Sequence, residues 1–229
     1  MRIRGAILLG TLLALELAAG AQANKTKLNK ADQAAAARSL LKLSELPAPF
    51  TWKGGQTTSA GSSGSSFSCK GFTPKSSDLV TTGKADATFI AQGVQLQDHA
   101  VVLQTAKMVS DDFGRTFVPA LVPCLATSFA HTITGLVVLK AGRVTFPQVA
   151  KYAAAYRIIF KITPKGKASE EGIVDYIALG AGRKELSLLF TAILGSATQV
   201  KNGANGMAVI DVNLATLLAR DALGAKPVA

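Results

Sequence analysis

Between Leu136 and Leu194 the chain runs through apolar segments separated by turns too short to hold a crossover helix. In the clearest of them, Tyr152 to Thr163, Tyr156, Ile158, Phe160 and Ile162 fall on one face. Arg157, Ile159 and Lys161 fall on the other, the period of two that a strand imposes. Leu136 to Phe146, Ile173 to Leu179 and Glu185 to Leu194 read as further strands. A parallel connection needs a crossover of about a dozen residues or more, so strands that follow one another this closely pair antiparallel. An earlier hairpin has the same logic: Thr81 to Ala91, a turn at Gln92-Gly93, then Val94 to Leu103.

Helices bracket these strands. Ala31 to Leu43 is alanine- and leucine-rich and stops at Pro47 and Pro49. Phe50-Thr51-Trp52 starts a short strand, and 54–68 reads as a flexible Gly/Ser loop. Thr105 to Ser110 opens a helical segment that Gly114 divides from a second one around Phe117 to Ala130; Pro123 either kinks that second helix or marks its first turn. After a loop at Val200 to Asn205, Asp211 caps a closing helix with Leu214, Leu217 and Leu218 on its core side. The order predicts an α+β domain, a mainly antiparallel β-sheet flanked by helices.

The first 23 residues read as a secretory signal. Arg2 and Arg4 precede an apolar stretch, Ala6 to Gly20, and Ala21-Gln22-Ala23 is a cleavage site of small-residue type. Cleavage after Ala23 leaves a flexible lead-in at 24–30 and a single domain at 31–229, expected to be secreted and extracellular. Outside a reducing cytosol the two cysteines, Cys69 and Cys124, form one structural disulfide. Thr116 to Leu139 carries no formal charge, but Pro119, Pro123 and its Ser and Thr content argue against a membrane span. It reads instead as a buried helix followed by a buried strand, with no membrane span after signal removal.

The chain carries 25 Lys and Arg against 14 Asp and Glu, a net charge of +11. No acid lies between Asp112 and Glu170, where Arg115, Lys140, Arg143, Lys151, Arg157, Lys161, Lys165 and Lys167 all fall. If these bases share a face they attract an acidic protein or an anionic component of the cell envelope; if scattered, they only solubilise the domain. Candidate contacts for such a partner are Arg143, Lys151, Arg157, Lys161 and Arg183. No aromatic stripe or nucleic-acid motif accompanies them, so nucleic acid is not expected. Trp52, the one tryptophan, either lines a groove beside the Gly/Ser loop or anchors the core, the simpler reading.

A family resemblance joins these observations. Ala37-Arg38-Ser39-Leu40-Leu41-Lys42-Leu43-Ser44-Glu45-Leu46-Pro47 followed by Phe50-Thr51-Trp52 resembles the opening of secreted actinobacterial proteins of the PsbP-like fold. That group includes mycobacterial lipoproteins of the LpqN type and extracellular sensor domains of some receptor kinases. Ser77-Asp78-Leu79, Cys124-Leu125, Ala155-Tyr156-Arg157 and Gly182-Arg183 fit the same pattern. The chain departs from the lipoproteins in lacking a lipidated cysteine, and from the kinases in lacking a kinase or a spanning helix. The resemblance implies a PsbP-like α/β/α sandwich and a binding or accessory role, with no catalytic residues to carry over.

Residue chemistry points the same way. His99 and His131 have no second ligand at metal spacing, and paired cysteines leave no thiolate. No nucleophile elbow is present, and Gly180-Ala181-Gly182 lacks the third glycine and the helix of a dinucleotide loop. Asp111-Asp112 and Glu170-Glu171 read as solvated turns or helix ends. The expectation is a secreted, non-enzymatic binding protein without cofactor or metal. The alternative is a small-ligand or lipid carrier, with a cavity between sheet and helices where Ala31 to Ala37 and Ala153 to Ala155 leave room.

Overall fold

A computed structural model of the chain describes residues 25–48, 50–57, 69, 71–132, 134–166 and 168–224. The signal segment, its cleavage site and residues 58–68 of the Gly/Ser stretch lie outside the described residues. In chain order the elements are β1 (Lys25–Thr26), α1 (Lys30–Arg38), a 3-10 turn at Leu43–Glu45, β2 (Lys53–Thr57), β3 (Val80–Ala91) and β4 (Val94–Leu103). There follow α2 (Ala106–Thr116), α3 (Leu121–Thr132), β5 (Leu136–Arg143), β6 (Tyr152–Ile162), β7 (Glu170–Ala181), β8 (Lys184–Ile193) and α4 (Ala197–Leu223).

One eight-stranded sheet runs in the order β1-β3-β4-β8-β7-β6-β5, with β2 also on β3. Every pairing is antiparallel except the short parallel contact of β1 with β3. Each face of the sheet carries its own core. On one, Val109 and Phe113 of α2 and Leu121, Cys124, Leu125 and Phe129 of α3 pack over Tyr156, Ile158, Phe160, Val174 and Tyr176. On the other, Ala36 of α1 and Met207, Leu214, Ala215 and Leu218 of α4 pack over Phe89, Leu96, Ile173, Ile177, Leu188 and Phe190. The architecture is therefore helix, sheet, helix, as the strand meander requires. Covering both faces explains why β7 and β8 are buried at nearly every position despite their antiparallel pairing.

Cys69 and Cys124 are bonded, with Cα atoms 5.5 Å apart. The bridge ties the segment before β3 to the first turns of α3, and closing a loop of that length stabilises by about 4 kcal/mol in the chain-entropy account. Pro123 is the third residue of α3, where its missing N–H costs nothing. Among the described residues no single helix is long and apolar enough to cross a membrane; α2 and α3 reach that composition only as a pair bent by 80°.

Several expectations are corrected. Lys25–Thr26 of the lead-in is docked on β3, and Lys27 and Asn29 donate their N–H groups to the carbonyls of Thr81 and Thr82. Gly54–Thr57 belong to β2 rather than to a loop: Gly54 sits at φ 119°, and a Cβ there would lie 2.1 Å from the Thr88 carbonyl oxygen, so only glycine lets the strands close. Gly114 divides nothing, since α2 runs through it to Thr116. Val200 to Asn205 is helical, because α4 starts at Ala197 with Ser196 as its cap. Asp211 therefore caps no helix but lies buried in the middle of α4. Asp112 is also buried, on the inner side of α2, while Asp111 pairs with Lys107 in solvent. Finally, β5 is an exposed edge strand, with Val137 57% and Leu139 50% accessible.

Candidate functional site

The residues expected to contact a partner separate into two groups. Arg157, partly buried, and Arg183, exposed, are both engaged by hydrogen bonds within the fold. Arg157 makes a two-pronged pair with Asp175 on β7, Nε to Oδ1 at 2.6 Å and Nη2 to Oδ2 at 2.5 Å. Its Nη1 also donates to the Ala204 carbonyl of α4 at 3.1 Å. Asp211 faces the same pair from α4; burial and a hydrogen bond with Asp175 push its carboxyl up to about 9, so it stays protonated and donates to Asp175. The three side chains form a polar clamp between sheet and helix.

Arg183, in the β7–β8 turn, holds the other end of the sheet. Its Nε donates to the Leu103 carbonyl at 2.8 Å, and its Nη2 reaches Asp32 at 2.5 Å and Thr82 at 3.1 Å. Hydrogen bonds from Thr82 and Asn29, reinforced by Arg183, hold the Asp32 carboxyl at about 2. Trp52 donates its Nε1–H to the Pro47 carbonyl and packs on Phe50 and Phe190, the role of a core anchor.

Arg143, Lys151 and Lys161 remain exposed, and Lys140 is exposed as well. None of these four has an ion-pair partner among the described residues, although Glu171 lies opposite Lys161 in the β6–β7 register. Lys140 and Arg143 lie on β5 itself, while Lys161 lies opposite Val137 on β6. Lys151 stands 5.3 Å from the centre of the Tyr152 ring. Tyr156, opposite Arg143, is buried with a hydroxyl that has no hydrogen-bond partner among the described residues; burial raises its pKa and Arg143 counters the shift. Exposed apolar side chains and free cations thus share one sheet edge. Lys140 was read as one of the bases of the acid-free stretch but not as a candidate contact, and the exposure of Val137 and Leu139 was missed, because an apolar β-branched run reads as interior until the sheet order is known.

A second arrangement was invisible to spacing. Asp86, His99 and Ser187 are consecutive neighbours across β3, β4 and β8 on one face, and His99 Nδ1 hydrogen-bonds Asp86. The residue types are those of a hydrolase triad, but Ser187 is buried in the middle of a strand bonded on both sides. Its backbone N–H belongs to the ladders and is no donor for an oxyanion, and its hydroxyl shares a hydrogen bond with Tyr176. The row is a polar strut within the sheet. Other buried acids are equally structural: Leu41 donates its N–H to Asp98 at 2.6 Å, and burial pushes that carboxyl up to about 7. Burial likewise pushes Asp112 up to about 6, against the hydrogen bond from Thr116 and the charge of Arg115. Among the described residues no group of His, Cys, Asp and Glu is arranged to hold a metal ion.

In comparison with known proteins, no family model matches the chain and no curated protein is significantly similar to it.

Proposed function

We propose that this is an exported, non-enzymatic binding or accessory protein of the PsbP-like group, working in the cell envelope or outside it. Its partner is acidic and is met at the β5 edge. The observation that carries this reading is the coincidence along one open edge of exposed Val137 and Leu139 with Lys140, Arg143 and Lys161, cations with no ion-pair partner among the described residues. Apolar contact supplies affinity there, and the cations supply selection and steering. The carrier alternative has less support, because the buried ones among its alanines, Ala36, Ala154 and Ala155, are spent on close packing. Ala36 is fully buried, Ala154 and Ala155 are 2% exposed, and α1 sits so close to β3 that a Cβ on Gly83 would lie 2.2 Å from the Asp32 carbonyl oxygen.

The test measures retention of the secreted protein on poly-glutamate at low and high salt. The wild type is expected to bind and to be released by salt, and the combined Lys140→Glu, Arg143→Glu, Lys161→Glu protein is expected to lose binding. Reversal of Lys25 and Lys27, on the opposite edge, serves as the control. Equal retention of the triple variant sinks the reading. Export is checked by intact mass: a chain beginning at Asn24 supports it, and a full-length chain does not.

A further inference from the structure

We infer that the partner joins β5 as an added strand, an extended acidic segment that hydrogen-bonds to the open edge of the sheet. This rests on the binding role proposed above and names its geometry.

Backbone pairing shows which groups are available. Thr163 donates its N–H to the Gly135 carbonyl and Val144 donates to the Ala155 carbonyl. Antiparallel residues alternate between facing the partner strand and facing away. With the β5–β6 register, these bonds make Val137, Lys140 and Gly142 the residues that face β6. Leu136, Ala141 and Arg143 therefore present their N–H and C=O groups to the open side, where among the described residues no strand pairs with β5.

Side-chain chemistry selects the occupant. Val137, Lys140 and Lys161 lie on the face that α4 covers further in, and Arg143 lies on the α3 face beside Tyr156. A segment alternating acidic and apolar residues offers carboxylates to Lys140 and Lys161 on one face and apolar contact to Val138 and Ala141 on the other. A second copy of this chain is the poorer fit, because pairing two β5 edges brings Lys140 and Arg143 against their own kind. The register shift between Val138 and Lys140 is a bulge at Leu139, between the pairings with Phe160 and Ile159. Bulges and lysines are the devices by which open edges resist indiscriminate pairing. Here they leave an edge closed to neutral and cationic strands and open to acidic ones.

The experiment uses the secreted protein and a fluorescent peptide of alternating Glu and Val, read by anisotropy and by amide exchange along β5. Two N-methylated forms of the peptide block alternate sets of its amides, and thus one hydrogen-bonding edge each. Strand addition predicts that one form binds about tenfold more weakly while the other is unaffected, since each edge faces only one way. Amides of Leu136, Ala141 and Arg143 should gain protection. Ala141→Pro removes an outward donor while sparing the β5–β6 ladder and should weaken binding similarly; should that variant not fold, the N-methyl pair decides. Equal binding of both methylated forms overturns strand addition and leaves an acidic partner held by side chains. Equal binding of a Thr-Val peptide overturns the charge selection. Failure of both the Glu-Val peptide and poly-glutamate to bind overturns the proposed function itself.

Discussion

The two edges of this sheet carry the same backbone groups and meet opposite fates. On the β3 side, β1 covers one end and β2 the other. Between them α1 takes over: Asn29 donates to the Thr82 carbonyl, and Gln33 accepts from the N–H of Lys84 at 2.6 Å. Arg183 then fastens Asp32 to the end of β4. On the β5 side no strand among the described residues pairs with the outward groups, and protection is left to a bulge and to charge. An edge closed by hydrogen bonds is structure; an edge guarded only by electrostatics stays open to the one partner whose charge is opposite.

The comparison can be broken first at the link between the two sides. Removing the bridge with Cys69→Ala and Cys124→Ala should cost about 4 kcal/mol in denaturant unfolding, because α3, which packs on β5, loses its tie to the segment that leads into β3. Gly83→Ala attacks the closed edge alone. Its new Cβ meets the Asp32 backbone, and a loss of about 1–3 kcal/mol is expected, with poly-glutamate binding unchanged in the folded fraction.

A pH series sharpens the contrast between interior and edge. Asp211 is protonated in the fold and titrates at about 9, whereas in the unfolded chain it titrates at about 3.9. The folded state therefore binds more protons between those values, so stability falls as pH rises through that window. Asp98 and Asp112, also raised, add the same sign at lower pH. Asp211→Asn keeps a donor toward Asp175 and should be more stable than wild type at pH 9 by at least about 1 kcal/mol, with a flatter profile. A decline as steep as wild type would place the titration elsewhere. Smallest of all, Lys140→Glu with Arg143→Glu should change stability by no more than about 0.5 kcal/mol, because neither cation has an ion-pair partner among the described residues. A larger loss would mean that the edge is structural after all.

Much of the fold was legible. The hairpin at Val94 and the alternation around Tyr156 appear almost as read, since strand period and turn chemistry are local properties. The α4 start was not, because Asn202, Gly203, Asn205 and Gly206 are poor helix formers. Tertiary contact overrides them: a Cβ on Gly203 would lie 2.7 Å from the Leu194 side chain, and Arg157 anchors the Ala204 carbonyl. The candidate site was legible in part. Lack of acids from 113 to 169 marked the region, but not which cations were free.

What the sequence determined by itself is the material: strands that must pair antiparallel, a lone cysteine pair and a basic, acid-free middle. Only the tertiary structure decided which strand lies last in the sheet. That order follows from long-range burial, with the most apolar strands taken into the centre by helices on both faces, and it leaves Leu136–Arg143 outermost. The same burial turned Arg157 inward to Asp175, since a carboxylate in the core has to be paired, and so left Lys140, Arg143 and Lys161 as exposed cations at or beside the outermost strand.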